Sequence, residues 1–133
     1  MIACVAWLTT ACGIPVGTGI PNDNRPNGTL IASGVFSGSN GQTASGQAEI
    51  YNNNGTYIAR LNGITVTSET GLQIIVATSL SQTAYRTTLR SSQGSQNYTM
   101  GSIVGTFAQV RIFSTRNNRD YAVATLVYTG QGT

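Results

Sequence analysis

Few side chains in this 133-residue chain can do chemistry: four carboxylates (Asp23, Glu49, Glu69 and Asp120), seven arginines, six tyrosines, Cys4 and Cys12, and scattered hydroxyls, with no histidine and no lysine. Histidine is the usual general base at neutral pH and the commonest metal ligand. Without it, Ser-His-Asp and Cys-His arrangements are closed to the chain, and no lysine can serve as the substitute base. Ser114 therefore reads as a strand-end serine bonding to its neighbours rather than as a nucleophile. The carboxylates are too dispersed to mark a calcium loop or a catalytic pair. The expectation is a protein that is not an enzyme, with no cofactor and no metal.

Binding chemistry is better supplied than catalysis. Tyr51, Tyr57 and Tyr98 lie beside polar loops and are candidate ligand contacts, although tyrosines in such settings are more often core and cross-strand packing. Arg116 and Arg119, with Asp120, form a charged loop that either points to solvent or touches a partner. Net charge is +3, and the arginines form no run. Nucleic-acid binding calls for a clustered basic face, so no nucleic-acid partner is expected.

The N-terminus reads as an address. Met1 to Cys12, MIACVAWLTTAC, is a short apolar run ending in small residues before a cysteine. A dozen residues are too few to span a bilayer as a helix, which needs about 20. The run resembles a bacterial lipoprotein signal, which implies lipid attachment at Cys12, with Thr10 and Ala11 in the small positions and Cys4 lost with the signal. Thr9 replaces the usual aliphatic residue, and no basic residue precedes the run, so the true start is expected upstream of Met1. The alternatives are an ordinary cleaved secretion signal or a buried first strand with Cys12 as a core thiol. Lipidation implies membrane association in the cell envelope: the outer membrane or periplasm of a two-membrane cell, otherwise the extracellular face of the plasma membrane. An envelope protein or a small ligand is the expected partner. Residues 13–28, GIPVGTGIPNDNRPNG, hold all three prolines and read as a flexible tether or, in part, as an edge loop against the domain.

The elements that must position these residues are strands. From Thr29 onward short alternating runs are separated by turn chemistry, with no sustained helical period. The pattern predicts strands at Thr29 to Phe36, Ser45 to Tyr51 and Thr56 to Val66, the last bent at Asn62 and Gly63. An Asn-Gly hairpin turn follows Tyr51. Leu72 to Thr78 is the candidate central strand, with weaker strands at Ala84 to Leu89 and Asn97 to Met100. Phe107 to Ser114 and Tyr121 to Val127 form a closing hairpin. One all-β domain over residues 29–133, an antiparallel β-sandwich of about eight strands, is the expected architecture.

Several marks recur in order along this body: G-x-F-S-G-x-N-G at Gly34 to Gly41, A-E-I-Y at Ala48 to Tyr51, Y-I-A-R-L at Tyr57 to Leu61, L-Q-I-I-V at Leu72 to Val76, G-S-Q-N-Y at Gly94 to Tyr98, V-R-I-F at Val110 to Phe113 and A-T-L at Ala124 to Leu126. Together they resemble the DM-thirteen domain, a β-sandwich family related to the DOMON superfamily and often described as an electron-transfer module. The resemblance implies a functional position just after the V-x-I-aromatic strand, where the family has cysteine and this chain has Ser114. It also implies acidic character before the central strand, where this chain has Gly71. A hydroxyl cannot cycle between thiolate and oxidised sulfur. A non-enzymatic binding or structural module is therefore the first expectation, and a redox or cofactor-binding domain of the DM-thirteen type the alternative.

Overall fold

The structure is a computed structural model that describes residues 20–79, 82–103 and 106–129; Cys4, Cys12 and residues 13–19 lie outside the described residues. Nine strands are described: β1 (Thr29–Gly38), β2 (Ala44–Asn53), β3 (Thr56–Val66), β4 (Leu72–Ser79), β5 (Gln82–Thr88), β6 (Gln93–Gly101), β7 (Gln109–Ser114), β8 (Arg119–Thr125) and β9 (Val127–Tyr128). They pair antiparallel in the order β5-β4-β7-β8-β1-β2-β3-β6, with β9 also on β1. The expected all-β sandwich is present, and its sheet curls into a nearly closed, barrel-like form.

One strand belongs to both leaves. Leu30 to Val35 of β1 pair with β2, whereas Phe36 to Gly38 pair with Ala122 to Ala124 of β8. The transfer falls between Val35 and Phe36, just past Gly34, where a Cβ would lie 2.2 Å from the Thr125 carbonyl oxygen. No other residue lets the two backbones approach so closely.

Alternation along the strands builds the core. Ile74 and Val76 of β4, Val110 and Ile112 of β7, Ile50 of β2 and Leu61 of β3 are all fully buried in one cluster. Each such side chain stabilises the fold by about 1.5–3 kcal/mol through area removed from water. β4 is the central strand that its composition predicts, paired on one edge with β5 and on the other with β7. The bend expected in β3 is a bulge: pairing with β6 shifts between Leu61 and Ile64, and Gly63 takes φ +61°. The extra residue lets Leu61 and Ile64 both face the core, a spacing that strict alternation forbids.

The closing hairpin is shorter and shifted. β7 begins at Gln109, not Phe107, because Ala108 N–H donates to Ala77 and Leu126 N–H to the Ala108 carbonyl in an irregular crossing. At the tip, Arg119 and Asp120 pair as the first residues of β8 rather than standing in the loop.

Candidate functional site

Two polar centres stand out. The first closes the tip end of the β7–β8 hairpin. Val110, Ile112 and Ser114 alternate inward along β7, so the serine ends an apolar row and is fully buried. Its hydroxyl donates to Glu69 Oε2 and accepts the Asn117 N–H at 3.0 Å. Glu69 Oε1 accepts the Tyr121 hydroxyl at 2.5 Å and the Asn117 side-chain amide at 3.2 Å. The neighbouring Gly71 carbonyl accepts both the N–H and the hydroxyl of Thr115, at 3.2 and 2.8 Å. The loop before β4 is thus laced to the hairpin turn.

This arrangement weakens the carboxylate as a base. The Ser114 hydrogen bond, then that from Tyr121, holds the Glu69 carboxyl below the usual carboxylate range, since donors to the charged form favour ionisation. A serine with no exposed surface beside a weakened base cannot meet an acyl substrate. The cluster positions a turn.

The second centre lies at the outer edge of β6. Residues 20–25, within the proline-rich segment, run alongside this strand: Asp23 N–H donates to the Ser95 carbonyl and Ser95 N–H to the Pro21 carbonyl, both at 3.0 Å. Asn22 forms a parallel bridge with Ser95. Gly94 makes room, taking φ +94°; a Cβ there would lie 2.2 Å from the Pro21 carbonyl oxygen. The Asp23 carboxylate receives Arg90 Nη1 and Nη2 at 2.7 and 3.2 Å and the Asn97 N–H at 3.0 Å. Those bonds, the Arg90 one foremost, depress its pKa. Asn97 donates its side-chain amide to the Asn24 carbonyl at 2.7 Å.

Beneath this strap lies a buried pair. Arg60 Nη1 donates to the Asp23 carbonyl at 2.8 Å and to Asn97 Oδ1 at 3.0 Å, and its Nε lies 3.5 Å from Glu49 Oε1. Glu49 also accepts the Tyr51 hydroxyl at 3.0 Å and Asn62 Nδ2 at 3.4 Å. Arg60 and Glu49 side chains are only 10% and 11% exposed.

The residues singled out in the sequence are not gathered in one patch. Tyr51 joins the second centre: its ring lies under the Arg25 guanidinium at 5.3 Å, and burial foremost, then the bond to Glu49, raises its pKa. Tyr57 packs edge-on against Phe107, centroids 5.1 Å apart. Tyr98 is buried in the core cluster, donating to Gln96 Oε1 at 2.5 Å and accepting the Arg90 N–H at 2.9 Å. Arg116 and Arg119 are exposed at the hairpin tip. Ser114 takes the place described, and Cys12 lies outside the described residues.

Nothing in the sequence marks Glu69 and Asn117 as partners of Ser114, Tyr121 as a partner of Glu69, or Asp23, Arg60, Arg90 and Asn97 as a unit. Glu69, two residues before Gly71, is the carboxylate that accepts the Ser114 hydroxyl. The one local signal for the strap was an Asp between two prolines, which keep that segment extended. Among the described residues no group of three or more cysteines and carboxylates could hold a metal ion. No family model, no curated protein and no solved structure matches the chain.

Proposed function

We propose that this chain is a lipid-anchored, non-enzymatic binding or structural module of the cell envelope, attached through Cys12. The observation that carries the non-enzymatic part is the state of Ser114. Its hydroxyl, at the position that the DM-thirteen resemblance marks for chemistry, is fully buried and committed to Glu69 and Asn117. The anchoring part rests on the signal-like run ending at Cys12. Seven residues, and so eight Cα-to-Cα steps, separate Cys12 from Ile20, at most about 29 Å of extended chain. An acylated Cys12 would therefore hold the β6 edge within that distance of the headgroups. In a two-membrane cell the site is the outer membrane facing the periplasm; otherwise it is the outer face of the plasma membrane. Radiolabelled palmitate tests the anchor: label enters the wild-type chain and is lost from Cys12→Ser. Equal labelling of both would sink it.

One observation favours a second reading, a redox or cofactor-binding domain of the DM-thirteen type. The phenol of Tyr121 donates to Glu69 beside Ser114, and a tyrosine paired with a proton acceptor can lose an electron and a proton together. Under that reading, natively purified protein carries a chromophore, or oxidation yields a tyrosyl signal that Tyr121→Phe removes. A spectrum with neither rejects it.

A further inference from the structure

The strap that lies on β6 is held almost wholly by polar contacts. Ile20 is 59% exposed, and of residues 20–25 only Pro21 and Asp23 are even half-buried. Strand-like backbone pairing, one carboxylate and a cation–π contact hold it there, with little apolar area to resist opening. What it covers is different in kind. Without the strap, Ser95 and Asn97 would each present a backbone N–H at an open sheet edge, and Arg60 and Arg90 would lose their acceptors on Asp23. An edge built this way selects an extended segment carrying a carboxylate one residue beyond its bridge position. It joins β-strand addition for affinity to one charged pocket for specificity.

We propose that the β6 edge is an exchange site that takes the strap of a second copy of this chain, Pro21 to Arg25, in place of its own. The second copy is the occupant because its strap carries the same carboxylate, the same carbonyls and the same pre-extending prolines that the edge already fits. Exchange needs only a hinge. Gly28 is fixed on β2, where a Cβ would lie 2.7 Å from the Asn52 carbonyl oxygen. The exposed Arg25 and Asn27, flanking Pro26, supply the turn that can open. Swapping an identical element forms the same contacts twice at little cost. A copy's own strap competes at an effective concentration on the order of millimolar, so exchange is rare in dilute solution. Copies crowded on one membrane favour it. The proposal names a partner for the binding module described above and rests on that reading only for its membrane setting.

Two complementary variants of the full chain, both carrying Cys12→Ser and kept reduced, test it. Asp23→Ala spoils the strap and spares the edge; Arg90→Ala spoils the edge and spares the strap. With Asp23→Ala labelled with ¹⁵N, addition of unlabelled Arg90→Ala at about 1 mM returns the Ser95 and Asn97 amide resonances toward their wild-type positions. Native mass spectrometry then finds heterodimers at least about tenfold above either homodimer, a gap of about 1.4 kcal/mol. If resonances and masses stay those of separate monomers, the proposal is wrong. Should Asp23→Ala fail to fold, Asp23→Asn takes its place in the same mixture. Recovery by a synthetic peptide of residues 20–27, without recovery by the intact chain, would likewise overturn the second copy as occupant. Because both variants lack the acylated cysteine, the mixture can fail while palmitate still labels Cys12 of the wild-type chain, and the reverse.

Discussion

The Arg60–Glu49 pair offers a sharp energetic test. With Nε and Oε1 3.5 Å apart and both side chains about one-tenth exposed, the gross attraction at an effective dielectric near 20 is about 5 kcal/mol. Desolvation offsets most of that, so the intact pair contributes little net stability. Removing one partner is another matter. Arg60→Met keeps the buried stem but leaves Glu49 charged in its place, with only Tyr51 at 3.0 Å and Asn62 at 3.4 Å to satisfy it. It also deletes the bonds to the Asp23 carbonyl and Asn97. The expected loss is about 3 kcal/mol, the lower part of the range for a broken buried pair. Adding Glu49→Gln removes the stranded charge while keeping an acceptor for Tyr51, and the double variant should recover about 2 kcal/mol of that loss. Urea unfolding with an unchanged m-value is the assay. An Arg60→Met chain within about 1 kcal/mol of wild type, or a double variant no more stable than the single, would show that Glu49 does not depend on Arg60 in the folded protein.

Three further outcomes are expected. Gly34→Ala puts a methyl 2.2 Å from the Thr125 carbonyl oxygen, where the leaves exchange β1, and should cost about 3 kcal/mol or more in urea unfolding; a loss under about 1 kcal/mol would mean the crossing is looser than described. Acid should release the strap. The Asp23 pKa is depressed by Arg90 and Asn97, so its contribution is complete above the ordinary aspartate value of about 3.9 and fades as pH falls through the lower folded value. Amide exchange at Asn97, measured down that pH range, should lose protection before the core strands do; protection that outlasts Asp23 protonation would contradict the strap's dependence on that carboxylate. Ser114→Cys should place its thiol where the hydroxyl is now buried and leave it roughly a hundredfold slower than free cysteine toward a thiol reagent. Prompt reaction in the native state would revive the redox reading.

Much of the fold was legible because alternation and turn chemistry are local. Leu72 to Thr78 reads as a central strand, and Asn62-Gly63 reads as a bend, from neighbours in sequence alone. What stayed hidden depends on distant approach. Nothing near Gly34 says that one strand serves two leaves; that follows from the Thr125 carbonyl, far along the chain. Tyr51 and Tyr57 look alike in sequence. The hairpin turn between them and their positions on β2 and β3 set one beneath Arg25 and the other against Phe107. The alternating run of β7 places Ser114 at a strand end, but nothing local points to its partner Glu69, 45 residues earlier, because a carboxylate in a loop carries no sign of what it will face. Asp23 reads as part of a tether for the same reason: its guanidinium partner Arg90 lies 67 residues away.

Under the proposed function the protein is an anchored module whose mature chain starts at the lipidated cysteine. Intact-mass and N-terminal peptide analysis of protein purified from membranes of the native cell tests it most directly. The expected result is a chain beginning at Cys12 that carries a thioether-linked diacylglycerol. A chain whose Cys12 is internal, or is the first residue but bears no lipid, would contradict it.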